Sequence, residues 1–102
     1  MLEYAKAQLA QARENESGRS AATVFRGDLL AQTVLALTEG SELAEHENPG
    51  EATLQVLIGR IRLTADGQAH EAGAGDLLTI PPLRHSVLAL VDSAFLLTVA
   101  RR

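Results

Sequence analysis

The chain has 102 residues, no cysteine, and a formal net charge of −4 from nine basic and thirteen acidic residues. A single domain of this length can bury roughly two thirds of its unfolded surface around one core. The lack of cysteine excludes disulfides, thiolate catalysis and cysteine-based zinc sites. The basic residues form no cluster before the last two positions, so we expect no nucleic-acid partner, because phosphate binding needs a clustered positive surface.

The first segment has the pattern of an amphipathic helix. Apolar residues recur at spacings of three and four over residues 2–15, and Ser17-Gly18 follows as a stop signal. We therefore predict an N-terminal helix within residues 1–18, which packs either on the domain or on a second subunit. No window reaches the eighteen or so apolar residues of a membrane span, and the N-terminus lacks the apolar stretch of a secretion signal. We expect no membrane partner and a cytoplasmic location.

Residues 19–102 have the pattern of a β-barrel domain. Short segments rich in Val, Leu, Ile and Thr lie between Gly, Pro and Asp turn signals, which indicates about eight strands. Asp66-Gly67 is a two-residue hairpin signal. In the strand before it, Ile61 and Leu63 should face one way and the neighbouring arginines the other. Strands at this spacing, with no helical pattern between them, favour an all-β sandwich or barrel.

Two ordered sets of residues are more informative than composition. The first set runs from Gly40 through His46 to Gly59, and the second runs from Gly75 and Pro81 to His85. In this order and spacing, residues 20–100 resemble the cupin family, including its RmlC-like members, whose motifs are G-x5-H-x-H-x3-4-E-x6-G and G-x5-P-x-G-x2-H-x3-N.

The chain departs from these motifs at several positions. Asn48 stands where the second histidine is expected, and Ala52 stands at the glutamate position, with Glu51 one residue out of step. In the second motif His85 comes one residue early, and Leu83 replaces the usual glycine. The resemblance is therefore strong for the fold and weaker for the chemistry.

The resemblance implies an all-β fold, a double-stranded β-helix or cupin jelly-roll barrel with one short N-terminal α-helix. In that fold the strand that leads into Asn48-Pro49-Gly50 and the strand that follows Pro81-Pro82 are neighbours. His46 and His85 should then open into one barrel mouth, with their nearest ring nitrogens on the order of 3 to 5 Å apart.

The resemblance also suggests a divalent metal ion (Zn, Fe, Mn or Ni), held by His46, His85 and Glu51. Glu51 can contribute only if the turn before it bulges the strand, because a one-residue slip turns a side chain to the other face. Asn48 offers a neutral carbonyl oxygen, and Arg84 either holds an anionic group or is solvated. The alternative is that the two histidines are polar groups of the barrel mouth, hydrogen-bonded to each other or to water.

Two further polar residues are given structural roles. His70 lies in the hairpin after Asp66-Gly67, far in sequence from both motifs, and is predicted to be a surface residue of a strand. Asp76 follows Gly75 at the start of a strand and is predicted to cap a turn.

Three functions are compatible with these features. We expect a small-molecule ligand bound in the barrel at His46, Asn48, Arg84 and His85, without catalysis. The alternatives are a metal-dependent enzyme, a dioxygenase or isomerase, that uses His46 and His85, and a structural role. A homodimer is also expected, because the helix and the apolar residues Leu29, Leu30, Leu96 and Leu97 give more apolar surface than one thin barrel can cover.

Overall fold

The computed structural model describes residues 1–46, 50–81 and 83–100, apart from the side chains of Glu45 and His46. One helix and nine strands lie in these ranges: α1 (Leu2–Glu14), β1 (Arg19–Arg26), β2 (Leu30–Leu37), β3 (Glu42–His46), β4 (Ala52–Ile58), β5 (Arg60–Ala65), β6 (Gln68–Gly73), β7 (Leu77–Ile80), β8 (His85–Ala89) and β9 (Ser93–Ala100). The sequence pattern predicts about eight strands and omits β3, whose five residues include two glutamates and adjoin a turn signal.

The strands form two antiparallel sheets. The larger has the order β1-β2-β9-β4-β7, and the smaller has the order β3-β8-β5-β6. Apolar side chains on the facing sides of the sheets form one buried core: Leu37, Ala52, Leu54, Val56, Ile61, Leu63, Ala72, Ile80, Val87, Ala89 and Phe95. Aliphatic side chains from alternate strand positions supply nearly all of it, as expected for sheets packed face to face. The jelly-roll prediction is confirmed.

The β5–β6 hairpin follows its sequence signals. Asp66 and Gly67 have φ values of 52° and 74°, as a two-residue hairpin turn requires. Ile61 and Leu63 are buried in the core. On the opposite side of the sheet the carboxylate of Glu71 accepts a hydrogen bond of 3.0 Å from Arg62, which is the main reason why the pKa of Glu71 lies below its usual value.

Helix α1 packs on the outer face of the larger sheet. Ala5, Leu9 and Ala12 are buried there against Ala36 of β2 and Ala94 of β9. The small alanines on both sides allow the helix to approach the sheet closely. The helix therefore packs on its own domain, which decides between the two packing partners predicted from the sequence. Within the described residues, no helix combines the length and the apolarity needed to cross a membrane.

Among the described residues of strands β1, β2, β4, β7 and β9, the rest of that outer face carries no charged side chain. Strand register and side-chain alternation place one group of residues on it, which we call the open sheet face: Ala22, Phe25, Leu30, Gln32, Thr53, Gln55, Leu77, Thr79, Leu96, Thr98 and Ala100. Val34 lies on the same side of the sheet but is fully buried. Leu97, in contrast, packs against the core between the sheets. Leu96 and Leu97 therefore lie on opposite faces of β9, so this strand is apolar on both faces.

Candidate ligand-binding site

The two motif histidines lie on neighbouring strands. β3 and β8 are antiparallel, and His46 is the Cα partner of His85. Val87 of β8 pairs with Leu43 of β3. Val87 is two residues from His85, whereas Leu43 is three residues from His46. The register therefore shifts by one residue between the two pairs. This β-bulge, which the sequence does not predict, sets the partner of His85. The predicted neighbourhood of the two strands is confirmed, whereas the side chain of His46 lies outside the described residues.

His85 lies on the inner face of β8. It is 1% exposed, and the following residues on the same face, Val87 and Ala89, are also buried. Its Nδ1 lies 2.9 Å from the carbonyl oxygen of Leu83. Because a carbonyl can only accept, Nδ1 must carry the proton in this bond, which leaves the lone pair of a neutral ring on Nε2. The short connection from β7 to β8 thus fixes both the orientation and the tautomer of the ring.

A cleft of about 340 Å³ opens where the edges of the two sheets meet. β6 is an edge strand of the smaller sheet and β7 is an edge strand of the larger one. The lining comes from the β5–β6 hairpin, β7 and the connection to β8, and its residues are Leu63, Ala65, Asp66, Gln68, His70, Leu78, Thr79, Pro81 and Leu83. Five of these nine residues are apolar, and Asp66, Gln68 and His70 of the hairpin supply polar groups. This combination is typical of small-molecule sites.

His70 lines this cleft, a position that the sequence pattern does not predict. His70 is exposed, as predicted, but it is the cross-strand partner of Leu63 on β5, and directly paired residues share a face of the sheet. Its side chain is therefore on the same side as the core. Ala72 is buried, and His70, two residues before it on β6, lies on the same face of the strand. Ala69 is also small and apolar but lies on the other face, so the sequence alone does not show which face of β6 is directed inward.

Two other predicted site residues occupy exposed positions. Glu51 is exposed and comes immediately before Ala52, whose side chain is buried in the core. Arg84 is exposed and comes immediately before buried His85. Asn48 lies outside the described residues. The roles of these three residues in binding a ligand or a metal stay predictions.

Asp76 has the structural role predicted for it. Its Oδ2 accepts a hydrogen bond of 2.9 Å from the backbone N–H of Gly73. The bond closes the turn between β6 and β7, which is the connection that carries the chain from one edge of the cleft to the other. Asp76 therefore shapes the cleft from outside and is not part of its lining.

The described side chains do not by themselves make up a metal site. Among them, no three histidine, aspartate or glutamate groups converge on one point. A metal centre at His85 would need His46 or Asn48, whose side chains are not among those described. The bond from Nδ1 of His85 to a backbone carbonyl does match the way in which metal-bound histidines are commonly held by their second nitrogen.

The family model for the cupin domain matches residues 33–99. The chain belongs to the cupin family. The match begins in β2 and ends in β9, so it includes both histidine strands and both edges of the cleft. No curated protein matches this cupin.

Solved structures share the fold of this cupin. A conserved protein of unknown function from Streptococcus pyogenes is 25% identical, with a TM-score of 0.78, and the match covers 86% of this chain and 78% of that one. An RmlC-like cupin from Desulfovibrio desulfuricans is 27% identical, with a TM-score of 0.74, over 80% of this chain and 81% of that one. KdgF from Halomonas sp. is 20% identical, with a TM-score of 0.76, over 85% and 82%. At these identities the comparisons establish the fold.

Proposed function

We propose that this cupin binds an apolar or weakly polar small molecule in the cleft between β6 and β7, without catalysis. The observation that carries the proposal is the cleft itself, about 340 Å³ in volume, which is within the size range of small-molecule sites. The apolar side chains Leu63, Leu78 and Leu83 would supply contact area, since the burial of apolar surface favours binding.

Polar groups at one side of the cleft would orient the ligand. Asp66, Gln68 and His70 all come from the β5–β6 hairpin, and Leu78 and Pro81 face them from the other sheet edge. A ligand with one hydroxyl or amine and a compact hydrocarbon body would match both sides. A hydrogen bond to Asp66 or His70 would then fix its orientation, and the hydrocarbon would contact the leucines.

A titration of the isotope-labelled protein with cyclohexanol and benzyl alcohol, followed by NMR, tests the proposal. We expect saturable shifts of the Leu63, His70 and Leu78 amides. Leu83→Arg should abolish these shifts. Position 83 is 46% exposed, so the long arginine side chain can occupy the cleft while its charge stays in contact with water. Val91→Arg is the matched control, since Val91 is 44% exposed and lies outside the cleft lining; it should bind like the native protein.

Failure of both alcohols to shift these amides, together with native mass spectra of the fresh protein that show no bound small molecule, would contradict the proposal. Binding that survives Leu83→Arg would locate the ligand elsewhere.

The paired register of His46 and His85 favours a second candidate, a metal-dependent cupin enzyme of the dioxygenase or isomerase type. Two imidazoles can bind one ion only if their strands are neighbours, and β3 and β8 pair at these two positions. Elemental analysis after expression with added Fe, Mn, Ni, Cu or Zn tests it, and less than about a tenth of an equivalent of metal would end it. If metal is bound, His46→Ala should remove it, whereas His70→Ala should leave it in place.

A further inference from the structure

Strand β7 has one paired edge and one free edge beside the cleft. Its hydrogen-bonded neighbour in the larger sheet is β4, and among the strands of the described residues none pairs with its other side. The cleft lining includes Leu78 and Thr79 of this strand. Main-chain groups on a free strand edge can pair with another extended chain. The cleft therefore offers backbone hydrogen bonds in addition to its side chains.

The hydrogen bonds between β4 and the start of β7 show which residue presents its main chain at the free edge. Val56 of β4 directs both its N–H and its carbonyl to the residues just before β7, in bonds of 3.0 and 2.8 Å. Because main-chain direction alternates along an antiparallel strand, Leu54 also points to β7, where its partner is Leu78. The N–H and C=O of the next residue, Thr79, must then point away from β4, towards the free edge.

The position of Thr79 agrees with this direction. Its side chain belongs to the open sheet face, on the opposite side of the sheet from the core, yet the residue lines the cleft. Its contribution to the cleft is therefore its main chain, which supplies one N–H donor and one C=O acceptor. In an antiparallel pair these two groups are matched by the C=O and N–H of a single residue of another extended chain. The edge thus has the hydrogen-bonding pattern that one amino-acid unit requires.

The charge of the cleft favours a cationic group on the ligand. Asp66 brings a carboxylate into the lining, and no lysine or arginine is among the described residues that line it. The whole chain has a formal net charge of −4, so the field at the cleft attracts cations and repels anions. An amino-acid unit with a free ammonium group and no free carboxylate fits both the edge of β7 and this charge.

We propose that the ligand is an apolar amino-acid amide, or the N-terminal end of a short apolar peptide, bound in extended form along the free edge of β7. Its ammonium group donates to the C=O of Thr79 and faces Asp66, and its first carbonyl accepts from the N–H of Thr79. Its hydrocarbon side chain packs among Leu63, Leu78 and Leu83. Strand addition combined with a side-chain pocket is a general mode of peptide recognition.

This inference rests on the function proposed above and narrows its ligand to one chemical class. The cleft volume of about 340 Å³ is near the lower end of the range for ligand sites. The bound part of the ligand is therefore short, and a longer peptide would continue outside the cleft.

NMR titrations with leucinamide, 3-methylbutylamine and 3-methylbutanol test the inference. The three molecules share one hydrocarbon body; the amine lacks the amide, and the alcohol also lacks the charge. Leucinamide should bind about threefold to tenfold more tightly than the amine, as expected for a gained hydrogen bond, and should shift the Thr79 amide signal downfield. The amine should bind about threefold more tightly than the alcohol, as expected for an exposed ion pair.

Thr79→Pro removes the N–H that the inference uses. Proline is tolerated in an edge strand where the missing N–H faces away from the ladder, so the pairing with β4 should persist, and circular dichroism checks the fold. The advantage of leucinamide over 3-methylbutylamine should disappear. Leu77→Pro is the matched control, because Leu77 also directs its main chain to the free edge but lies outside the cleft lining; it should keep the advantage.

Asp66→Asn tests the charge. Asparagine accepts the φ of 52° at this turn, so the hairpin should stay intact. The variant should bind leucinamide and 3-methylbutylamine about threefold more weakly than the native protein does, and it should bind 3-methylbutanol equally well. Equal weakening for all three molecules would mean that Asp66 only shapes the turn, and the ammonium contact would be wrong.

The titrations separate this inference from the proposed function. Leucinamide that binds no better than 3-methylbutanol would overturn the inference, whereas binding of the alcohol would leave the proposed function in place. An advantage of leucinamide that survives Thr79→Pro would also overturn it, because the ligand would then not use the edge of β7. If none of the three molecules shifts the amides of Leu63, His70 and Leu78, both the inference and the proposed function are wrong.

Discussion

Gly59 and Ser93 are in contact at the place where the chain crosses from the larger sheet to the smaller one. Gly59 lies between the end of β4 and the start of β5 and has a φ of 86°. A Cβ atom at Gly59 would overlap the hydroxyl of Ser93 and the carbonyl of Asp92. The last residue of the first family motif is therefore a glycine for two independent reasons, the backbone conformation and the lack of space.

Gly59→Ala should destabilise the protein more than Gly75→Ala. Gly75 has a φ of 93°, but nothing lies within 4 Å of a Cβ built there. Gly75→Ala should therefore cost only the backbone conformation, about 1 to 2 kcal/mol, whereas Gly59→Ala should cost about 1 to 3 kcal/mol more because Asp92 and Ser93 must move. Urea unfolding measures both. If both variants lose the same free energy of unfolding, then Ser93 and Asp92 move away from the new Cβ atom of Gly59→Ala without a cost in stability.

Ser93→Ala should be costly for a related reason. The Ser93 side chain is fully buried; its Oγ accepts a hydrogen bond of 3.0 Å from the N–H of Arg60 and lies 2.7 Å from the carbonyl of Val91. Alanine would leave the partly buried N–H of Arg60 without this acceptor, at a cost of about 1 to 3 kcal/mol. Exposed Ser17→Ala, by comparison, should change the free energy of unfolding by less than about 0.5 kcal/mol. Similar small effects of both substitutions would contradict this account.

Asp92 should make stability depend on pH in the acid range. Its carboxylate accepts hydrogen bonds of 2.9 Å from the N–H of Glu39 and from Arg13, and these, with the backbone bond first, hold its pKa below the usual value. Because the pKa of Asp92 is lower in the folded state, its carboxylate stabilises the fold in full above the unfolded-state pKa, about 3.9. This stabilisation is lost as the pH falls through the folded-state pKa. Since the ion pair with Arg13 is partly exposed, the effect should be small.

The measurement is the melting temperature of the native protein and of Asp92→Asn between pH 7 and pH 2.5. The native protein should melt higher at neutral pH, and the difference should shrink below about pH 4. Asp28→Asn, in the exposed turn between β1 and β2, makes the same change in net charge and serves as the control. A difference that stays constant over the whole range would mean that Asp92 acts through its shape and not through its charge.

The parts of the fold that sequence reasoning recovered have local causes. The hairpin at Asp66-Gly67 depends on turn chemistry within two residues, and the burial of Ile61 and Leu63 follows from strict alternation in a strand with arginines on its other face. The cap formed by Asp76 is likewise a contact over three residues. Such features need no knowledge of which strands become neighbours.

The parts that were missed depend on the neighbours. β3 is short and carries two glutamates, so it becomes recognisable as a strand only through its pairing with β8. In β9 both Leu96 and Leu97 are apolar, and only the packing between the sheets decides that Leu97 faces the core. His70 belongs to the cleft because of its register with Leu63. A single sequence does not specify such long-range pairings. Only the resemblance to the cupin family predicts that β3 and β8 are neighbours.

Substitutions of His85 can separate its structural role from a role in binding. His85 is buried and its Nδ1 donates to the carbonyl of Leu83. His85→Ala should therefore create a cavity and leave that carbonyl without this donor, which together should cost about 2 to 4 kcal/mol in urea unfolding. His70→Ala, at an exposed position, should cost less than about 0.5 kcal/mol.

His85→Asn completes the comparison, because the amide nitrogen of asparagine can take the place of Nδ1 but no atom of its side chain replaces Nε2. We expect it to recover part of the stability lost in His85→Ala, since the donor to Leu83 is restored. Any metal bound by the native protein should still be lost, because the lone pair on Nε2 is absent. If His85→Asn instead retains metal, then His85 is a structural residue only, and the second candidate function loses one of its two imidazoles.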